Sequence, residues 1–237
     1  GFDWFGVEWE FVPEVMAPMV KPGTKRLKDI TNWKEELVFP DLSGFDWKAL
    51  AAEETAKWDR ENKISYMMLI NGIFERTHAL FEDALCAMYE EPEALHELIE
   101  AITDYKIELI RVIGKYYKPD VLCAHDDYGS NNKLMMSVDL WREFYKEPLR
   151  RLIEETHKQG MIYEHHSCGY IAPLFDELVE LGIDAIDPLQ ITNPIRELKD
   201  KYQDRVTFVG GYDNQGVYDK VGVTEAEIRE ETRRVLE

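Results

Sequence analysis

Cysteine is scarce in this chain, whose 237 residues include only Cys86, Cys123 and Cys168. So few cysteines, in an odd number, argue against a framework of disulfide bonds. Long apolar runs are missing as well, and no stretch approaches the roughly 18 apolar residues that cross a bilayer. The first residues, GFDWFGVEWEF, carry acids where a signal peptide has basic residues. We therefore expect a cytoplasmic protein without a membrane partner.

Basic residues are also in short supply. Lys and Arg number 28 against 47 Asp and Glu, which gives a net charge of −19. Such a surface repels the phosphate backbone of nucleic acids and argues against a nucleic-acid partner. The same charge favours solubility. The sequence shows no low-complexity tract, and its only repeating feature is an alternation of short apolar runs with amphipathic stretches.

That alternation predicts strands and helices in turn. Strand-length apolar runs lie at 64–70, 119–125, 161–166, 183–188 and 206–213. The predicted helices are 71–89, 92–113, 137–160, 171–182, 194–202 and 224–236. Strands that alternate with helices pair in parallel through right-handed crossovers. We predict an α/β fold, a (β/α)8 barrel of the TIM type. A doubly wound sheet is the alternative, although no glycine-rich nucleotide fingerprint follows any strand.

The first sixty residues lack this alternation and are rich in Trp and Pro. We predict that 1–60 form an irregular excursion at the edge of the barrel, with one short strand, FGVEWEF, and that 1–237 are a single domain. The chain begins without Met and stops at ETRRVLE, inside a predicted helix. We therefore expect a fragment in which both ends of the barrel are incomplete.

Polar residues collect directly after the predicted strands. In β/α barrels the active site lies at the carboxyl ends of the strands. Turn chemistry alone would favour Asp, Asn and Gly there. It does not account for two histidines and a cysteine together, or for the pair Asp126-Asp127. The segments after successive strands are Asn71-Gly72, 125–132 (HDDYGSNN), 164–169 (EHHSCG), 187–190 (DPLQ) and 210–215 (GGYDNQ).

The stretch MIYEHHSCGYIAP, residues 161–173, is the densest of these. Because side chains alternate along a strand, Glu164, His166 and Cys168 share one face, and Tyr163 and His165 point the other way. A carboxylate, an imidazole and a thiolate on one face suit zinc, although zinc usually needs three or four ligands. The alternative is a buried cysteine acting as a small apolar residue beside a hydrogen-bonded histidine. The sequence supports a catalytic Cys/His nucleophile less than it supports a metal site, since no oxyanion site is evident.

The remaining candidates have two interpretations each. Asp126 and Asp127 suit acid–base work, cation binding or substrate positioning, or else a solvated loop. Asp213 in GGYDN suits catalysis or a plain turn. Core or surface positions are predicted for Cys86, Cys123, His78 and His157.

Four segments carry a resemblance to a known family. They are NGIFERTHALFEDALCAMYEEPEAL, HDDYGSNNKLMMSVDLWREFYKEPLRRLIEETHKQG, EHHSCGYIAPLFDELVELGIDAIDPLQ and RVTFVGGYDNQ. In this order, and over most of 64–237, the chain resembles the uroporphyrinogen decarboxylase superfamily, whose fold is a β/α barrel. Within it the chain is similar to the zinc- and corrinoid-dependent methyltransferases.

The resemblance implies a zinc site. Methyltransferases of this family carry an H-x-C motif where this chain has His166-Ser167-Cys168, and the metal-free decarboxylases lack it. A later cysteine completes the site in the methylcobamide:coenzyme M methyltransferases, but no cysteine follows Cys168 here. The third ligand then lies beyond Glu237 or is a carboxylate such as Glu164 or Asp127.

The function implied is transfer of a methyl group from a small methylated donor to a corrinoid (cobalamin) on a partner protein. The donor suggested is a methyl ether, for example a methoxylated aromatic, with zinc as the Lewis acid. A metal-free decarboxylase and a non-catalytic corrinoid- or ligand-binding barrel are the alternatives. The expected site residues are Asp126, Asp127 and Glu164 for catalysis, Asn71, Tyr128, Gln190 and Asp213 for substrate, and His166 and Cys168 for metal.

Overall fold

The computed structural model describes residues 1–14, 16–216 and 218–236. The strands are β1 (Trp9–Val12), β2 (Ala17–Val20), β3 (Tyr66–Leu69), β4 (Val121–His125), β5 (Ile162–His166), β6 (Ala185–Leu189) and β7 (Thr207–Gly210). The α-helices are α1 (Trp33–Glu36), α2 (Trp47–Thr55), α3 (Phe74–Leu80), α4 (Ala84–Glu90), α5 (Pro92–Val112), α6 (Val138–Trp141), α7 (Glu147–Lys158), α8 (Phe175–Leu181), α9 (Ile195–Tyr202) and α10 (Glu225–Leu236).

Strands β3 to β7 form one five-stranded parallel sheet in the order of the chain. Each strand therefore pairs with the next one in sequence, through a connection that contains a helix. A doubly wound sheet reverses its strand order at a switch point, whereas a barrel does not. The consecutive order confirms the prediction of a TIM-type barrel, of which the described residues supply five adjacent strands. All five were predicted from the sequence within a few residues.

The two faces of the sheet differ in what they contact. Tyr163 and His165 on β5 are fully buried on the helix side, as the strand alternation predicts. On the opposite face Tyr66, Met68 and Ile162 remain between 43% and 46% exposed. The carboxyl ends of β4, β5 and β6 lie side by side at one edge of the sheet, because the residues of these strands are in register. This placement brings the polar segments after the strands to one edge.

Helix α5 is the longest element, with 21 residues, and Pro92 occupies its first turn as predicted. Leu95, Leu98, Ile99 and Ile102 are fully buried at helical spacing and pack on the core. Among the described residues, no helix is both long and apolar enough to cross a membrane.

The predicted helix over 71–89 is wrong in one respect, because the structure divides it into α3 and α4. Phe81 follows α3 in an extended conformation, with φ −135° and ψ 107°. Its side chain is only 8% exposed and packs in the core. Burial of this ring outweighs the local helical preference and turns the chain before α4 begins.

The first sixty residues are more regular than predicted. The expected strand, FGVEWEF, overlaps β1, which pairs antiparallel with a second strand, β2, that was not predicted; Trp9 lies opposite Val20. Asp3 joins this region to α3 through a 2.6 Å ion pair with Arg76, whose side chain is 8% exposed. The Arg76 guanidinium also lies 4.4 Å from the centre of the Phe5 ring.

Candidate metal centre

Three side chains meet where β4, β5 and β6 end. His125 lies opposite His166 in the sheet register, and His166 lies opposite Asp187. Neighbouring residues of a parallel pair point to the same side of a sheet, so the three form a row on the open face. The two imidazole rings stack with their centroids 4.1 Å apart and their planes at 17°.

Each of these histidines is held by a carboxylate through its Nδ1 atom. His166 Nδ1 lies 2.8 Å from Asp187 Oδ2, and His125 Nδ1 lies 2.6 Å from Glu75 Oε2 on α3. The hydrogen bond to Glu75 raises the pKa of His125, against the opposing effect of burial. A carboxylate at Nδ1 fixes the proton there and leaves the lone pair of a neutral ring on Nε2, which is the arrangement of metal-binding histidines.

The Nε2 atom of His166 faces a sulfur and an oxygen. Cys168 Sγ lies 3.6 Å from it, and Asp127 Oδ1 lies 3.8 Å from it. Zinc–nitrogen and zinc–sulfur bonds of ordinary length place tetrahedral N and S ligands about 3.5 Å apart. Asp127 also accepts the Cys168 backbone N–H at 2.6 Å, which ties the two residues together. The His166 and Cys168 donors are therefore spaced as zinc ligands are, and the Asp127 carboxylate lies close to the same ring nitrogen.

The thiol of Cys168 holds its proton in the absence of a cation. Burial raises its pKa to about 12, and the Asp127 carboxylate adds to the rise. A bound divalent cation is the change that would favour the thiolate at neutral pH.

Glycine is required at the turn that follows this cysteine. Gly169 has φ +81°, and a Cβ atom there would lie 2.6 Å from the backbone of Gly129. Gln190 accepts the Gly169 N–H through Oε1 at 2.5 Å, and Asn193 donates to the Gly169 carbonyl at 2.9 Å. Gln190, expected at the substrate, is thus one of the side chains that hold the turn beside Cys168.

Asp126 and Tyr128 are not brought to the centre. Asp126 points to the helix side, where it accepts the backbone N–H groups of residues 73–75 at 2.9–3.1 Å. Tyr128, 1% exposed, donates its hydroxyl to the same carboxylate at 2.9 Å. Burial raises the pKa of Asp126 to about 7. The sequence led us to expect both residues at the substrate. The structure places them on the helix side instead, because the strand pleat continues past His125 and alternate residues point away from the open face.

Glu164 lies one layer below His166, on the same face. The Tyr66 hydroxyl donates a hydrogen bond to Glu164 at 2.5 Å, and Glu164 lies opposite Cys123 in the sheet register. Burial raises the pKa of the Cys123 thiol to about 12. Ligand atoms of Cys123, His166 and Asp187 lie within 4.8 Å of one another, as do those of His125, Asp127 and His166. Two donor groups therefore share His166, but Asp187 already occupies its Nδ1 atom.

Comparison with known families identifies the chain. The family model for uroporphyrinogen decarboxylase (URO-D) matches residues 65–237. The chain belongs to the uroporphyrinogen decarboxylase family.

A solved structure of this fold is a methyltransferase from Methanosarcina mazei, with a TM-score of 0.75 and 16% sequence identity. The likeness covers 98% of the present chain and 66% of the methyltransferase, so this member of the uroporphyrinogen decarboxylase family spans about two thirds of that protein's length. At this identity the likeness establishes the shared fold. No curated protein matches the chain.

Two expected substrate residues follow the two edge strands of the sheet, β3 and β7. Asn71 follows β3 with φ +52°, and its side chain is half-buried. Asp213 follows β7, and its backbone N–H donates to Glu231 at 2.9 Å. Within the described ranges, neither side chain forms a hydrogen bond with His166, Cys168 or Asp127.

The sequence analysis did not identify His125, Asp187 and Glu75 as residues of the candidate site. His125 and Asp187 lie at the carboxyl ends of two predicted strands, so a parallel register would have placed them beside His166. Glu75 gave no such signal, because it lies on a helix and only the tertiary fold brings it to His125.

Proposed function

We propose that this chain belongs to a methyltransferase whose metal centre holds zinc through His166 and Cys168. The observation that carries the proposal is the 3.6 Å separation of His166 Nε2 and Cys168 Sγ, with Asp187 on the other ring nitrogen. Membership of the uroporphyrinogen decarboxylase family and a fold shared with a methyltransferase support it. The reaction proposed is transfer of a methyl group from a small methyl ether, such as a methoxylated aromatic, to a corrinoid on a partner protein.

Asp127 is the third ligand in this proposal. Its Oδ1 atom lies 3.8 Å from His166 Nε2, on the ring nitrogen that also faces Cys168. Glu164, the other carboxylate considered, is held by the Tyr66 hydroxyl in the layer below. One nitrogen, one sulfur and one carboxylate oxygen form a three-ligand set with an open fourth position, as in catalytic zinc sites.

The protein groups around the site have separable roles. Bound zinc would supply the Lewis acid that polarises the ether oxygen, and the corrinoid would supply the nucleophile. Asp187 holds the tautomer and orientation of His166. Gly169 and Gln190 fix the turn that presents Cys168. Asp126 and Tyr128 act at one remove, since they hold the start of α3, and Asn71 and Asp213, after the two edge strands, are left to contact the donor.

The test is a methyl-transfer assay with the purified full-length protein. A methoxylated aromatic is offered with free cob(I)alamin, and formation of methylcobalamin and the free phenol is followed. We expect turnover that stops when zinc is removed by a chelator and returns when zinc is restored. Turnover that persists at its full rate in the zinc-free protein would contradict the proposed role of the metal.

A metal-free decarboxylase is the second candidate, because the matching family model is that of uroporphyrinogen decarboxylase. Decarboxylation of uroporphyrinogen by the chelated protein, without methyl transfer by the zinc-loaded protein, would favour this candidate.

A further inference from the structure

His125 shares with His166 two features that prepare a histidine for a metal. The two residues are partners in the sheet register at the ends of adjacent strands. Each has a carboxylate at Nδ1, Glu75 at 2.6 Å for His125 and Asp187 at 2.8 Å for His166. In the neutral ring both Nε2 atoms are therefore free to bind a cation.

Proximity also links these residues. One ligand atom from each of His125, Asp127 and His166 lies within 4.8 Å of the other two. Cys168 Sγ lies 3.6 Å from His166 Nε2. We propose that His125 is a fourth ligand, so that one metal ion is held by His125, Asp127, His166 and Cys168, with Glu75 fixing the tautomer of His125. This inference rests on the proposed zinc-dependent function and goes beyond its three-ligand set. The ether oxygen would then bind as a fifth ligand, an expansion that catalytic zinc sites allow.

Metal binding has to move the His125 ring. The two rings are stacked at 4.1 Å and nearly parallel, so their lone pairs do not converge on a single point. Tetrahedral zinc places two nitrogen ligands about 3.3 Å apart. His125 and Glu75 have side chains 23% and 20% exposed, so the pair can turn together without displacing the core. Loss of the ring stack on metal binding is thus a specific consequence of the proposal.

The four-ligand set also bears on the class of methyl donor. A centre with two nitrogens, one oxygen and one thiolate is harder than a centre built mainly on thiolates, and it leaves more positive charge on the ion. Such an ion polarises an oxygen atom better than it activates a soft sulfur. The geometry therefore points to an oxygen-linked methyl group, in agreement with the ether proposed above.

The competing arrangement is the donor group of Cys123, His166 and Asp187. It would use the layer below and would require His166 Nδ1 to exchange its Asp187 hydrogen bond for a metal bond. The two arrangements use different cysteines, and the competing one contains no second histidine, so variants can separate them.

The experiment is a zinc titration of the metal-free full-length protein, followed by 15N-detected NMR of its histidine rings and by calorimetry. The variants are His125→Ala, Glu75→Gln, Cys123→Ser and Cys168→Ser. His157→Ala is the matched control, because His157 also faces a carboxylate, Asp184 at 2.7 Å, but at the opposite end of the strands. Thermal unfolding with a chelator present checks that each variant folds.

We expect zinc to shift the Nε2 resonances of two histidines, His125 and His166. Glu75→Gln should weaken zinc binding by about 10- to 100-fold, the usual effect of losing a carboxylate behind a ligand histidine. His125→Ala should weaken it further, while His157→Ala and Cys123→Ser leave it unchanged. A shift of His166 alone, with full affinity in folded His125→Ala, would overturn the inference and leave the proposed function standing. Loss of zinc binding in Cys123→Ser but not in Cys168→Ser would overturn it in favour of the lower donor group. No zinc binding by the wild type would defeat both proposals.

Discussion

At the scale of single residues, the centre depends on which side of the strand each side chain takes. His125 and Asp127 face the centre, and Asp126 between them turns to the helices and accepts backbone N–H groups of α3. The same alternation separates His166 from the buried His165. Burial lowers the pKa of His165 to about 3, so this ring stays neutral, and it lies on the helix side of the sheet, away from His166 Nε2. Neighbours in sequence thus have unrelated roles.

Gly169 gives a test at this scale. Its φ of +81° is unfavourable for any residue with a Cβ atom. An added Cβ atom would also lie 2.6 Å from the Gly129 backbone. We expect Gly169→Ala to lower the free energy of unfolding by about 1–2 kcal/mol for the left-handed backbone and by about 1–3 kcal/mol more for overpacking. Zinc affinity should fall with it, because the turn presents Cys168.

Gly160→Ala is the control for this substitution. Gly160 has φ +79° but has no atom within 4 Å of the added carbon. It should show the backbone cost alone in urea unfolding. Equal losses of stability in the two variants would contradict the close packing of the Gly129 and Gly169 turns.

At the scale of elements, the end of β4 and the start of α3 form one unit. Asp126 holds the first turn of α3, and this turn places Glu75 against His125. Gly72 permits the approach, since a Cβ atom there would lie 2.5 Å from Asp126 Cγ. Helix α5 closes the unit from behind, where buried Lys106 donates to the carbonyl of Ile70 at 3.0 Å.

Lys106 makes the stability of this unit depend on pH. Burial lowers its pKa to about 7 from an ordinary value of 10.5. Between those values the unfolded chain binds a proton that the folded chain does not, so the free energy of unfolding rises with pH, by at most about 1.4 kcal/mol per pH unit. We expect Lys106→Met to flatten the rise, in urea unfolding measured from about pH 7 to about pH 9. The exposed Lys199→Met should keep the wild-type dependence. A rise as steep in Lys106→Met as in the wild type would refute the assignment.

How far the sequence predicts these elements depends on the range of the forces involved. Alternation and helical spacing are local, so β3 to β7 and the cap of α6 by Ser137 could be read directly. The division of α3 from α4 at Phe81 depends on a buried ring in the assembled core. Strand β1 overlaps the predicted FGVEWEF, but β2 was missed because its four residues include Pro18 and carry no clear alternation. The local sequence pattern does not predict features that depend on tertiary packing.

At the scale of the whole molecule, the consecutive strand order explains why distant segments meet. Neighbouring units of a barrel present their strand ends to one edge, so residues some forty positions apart, such as Asp127 and Cys168, become bonded neighbours. Through the family resemblance, the H-x-C motif predicted zinc ligation by His166 and Cys168. The parallel register places His125 and Asp187 on either side of His166. The sequence could not choose between Glu164 and Asp127 as a further ligand, because both follow from alternation on adjacent strands. The 3.8 Å distance of Asp127 from His166 Nε2 and the contact of Glu164 with Tyr66 separate them in the structure.

The central claim is that His166 and Cys168 hold a metal ion, and the metal content of the purified full-length protein tests it most directly. We expect about one zinc per chain in the wild type and in His157→Ala. Zinc should be lost in both His166→Ala and Cys168→Ala, with the fold of each checked by circular dichroism. Wild-type protein without stoichiometric metal, or folded variants that keep their zinc, would contradict the metal centre and the methyl-transfer function built on it.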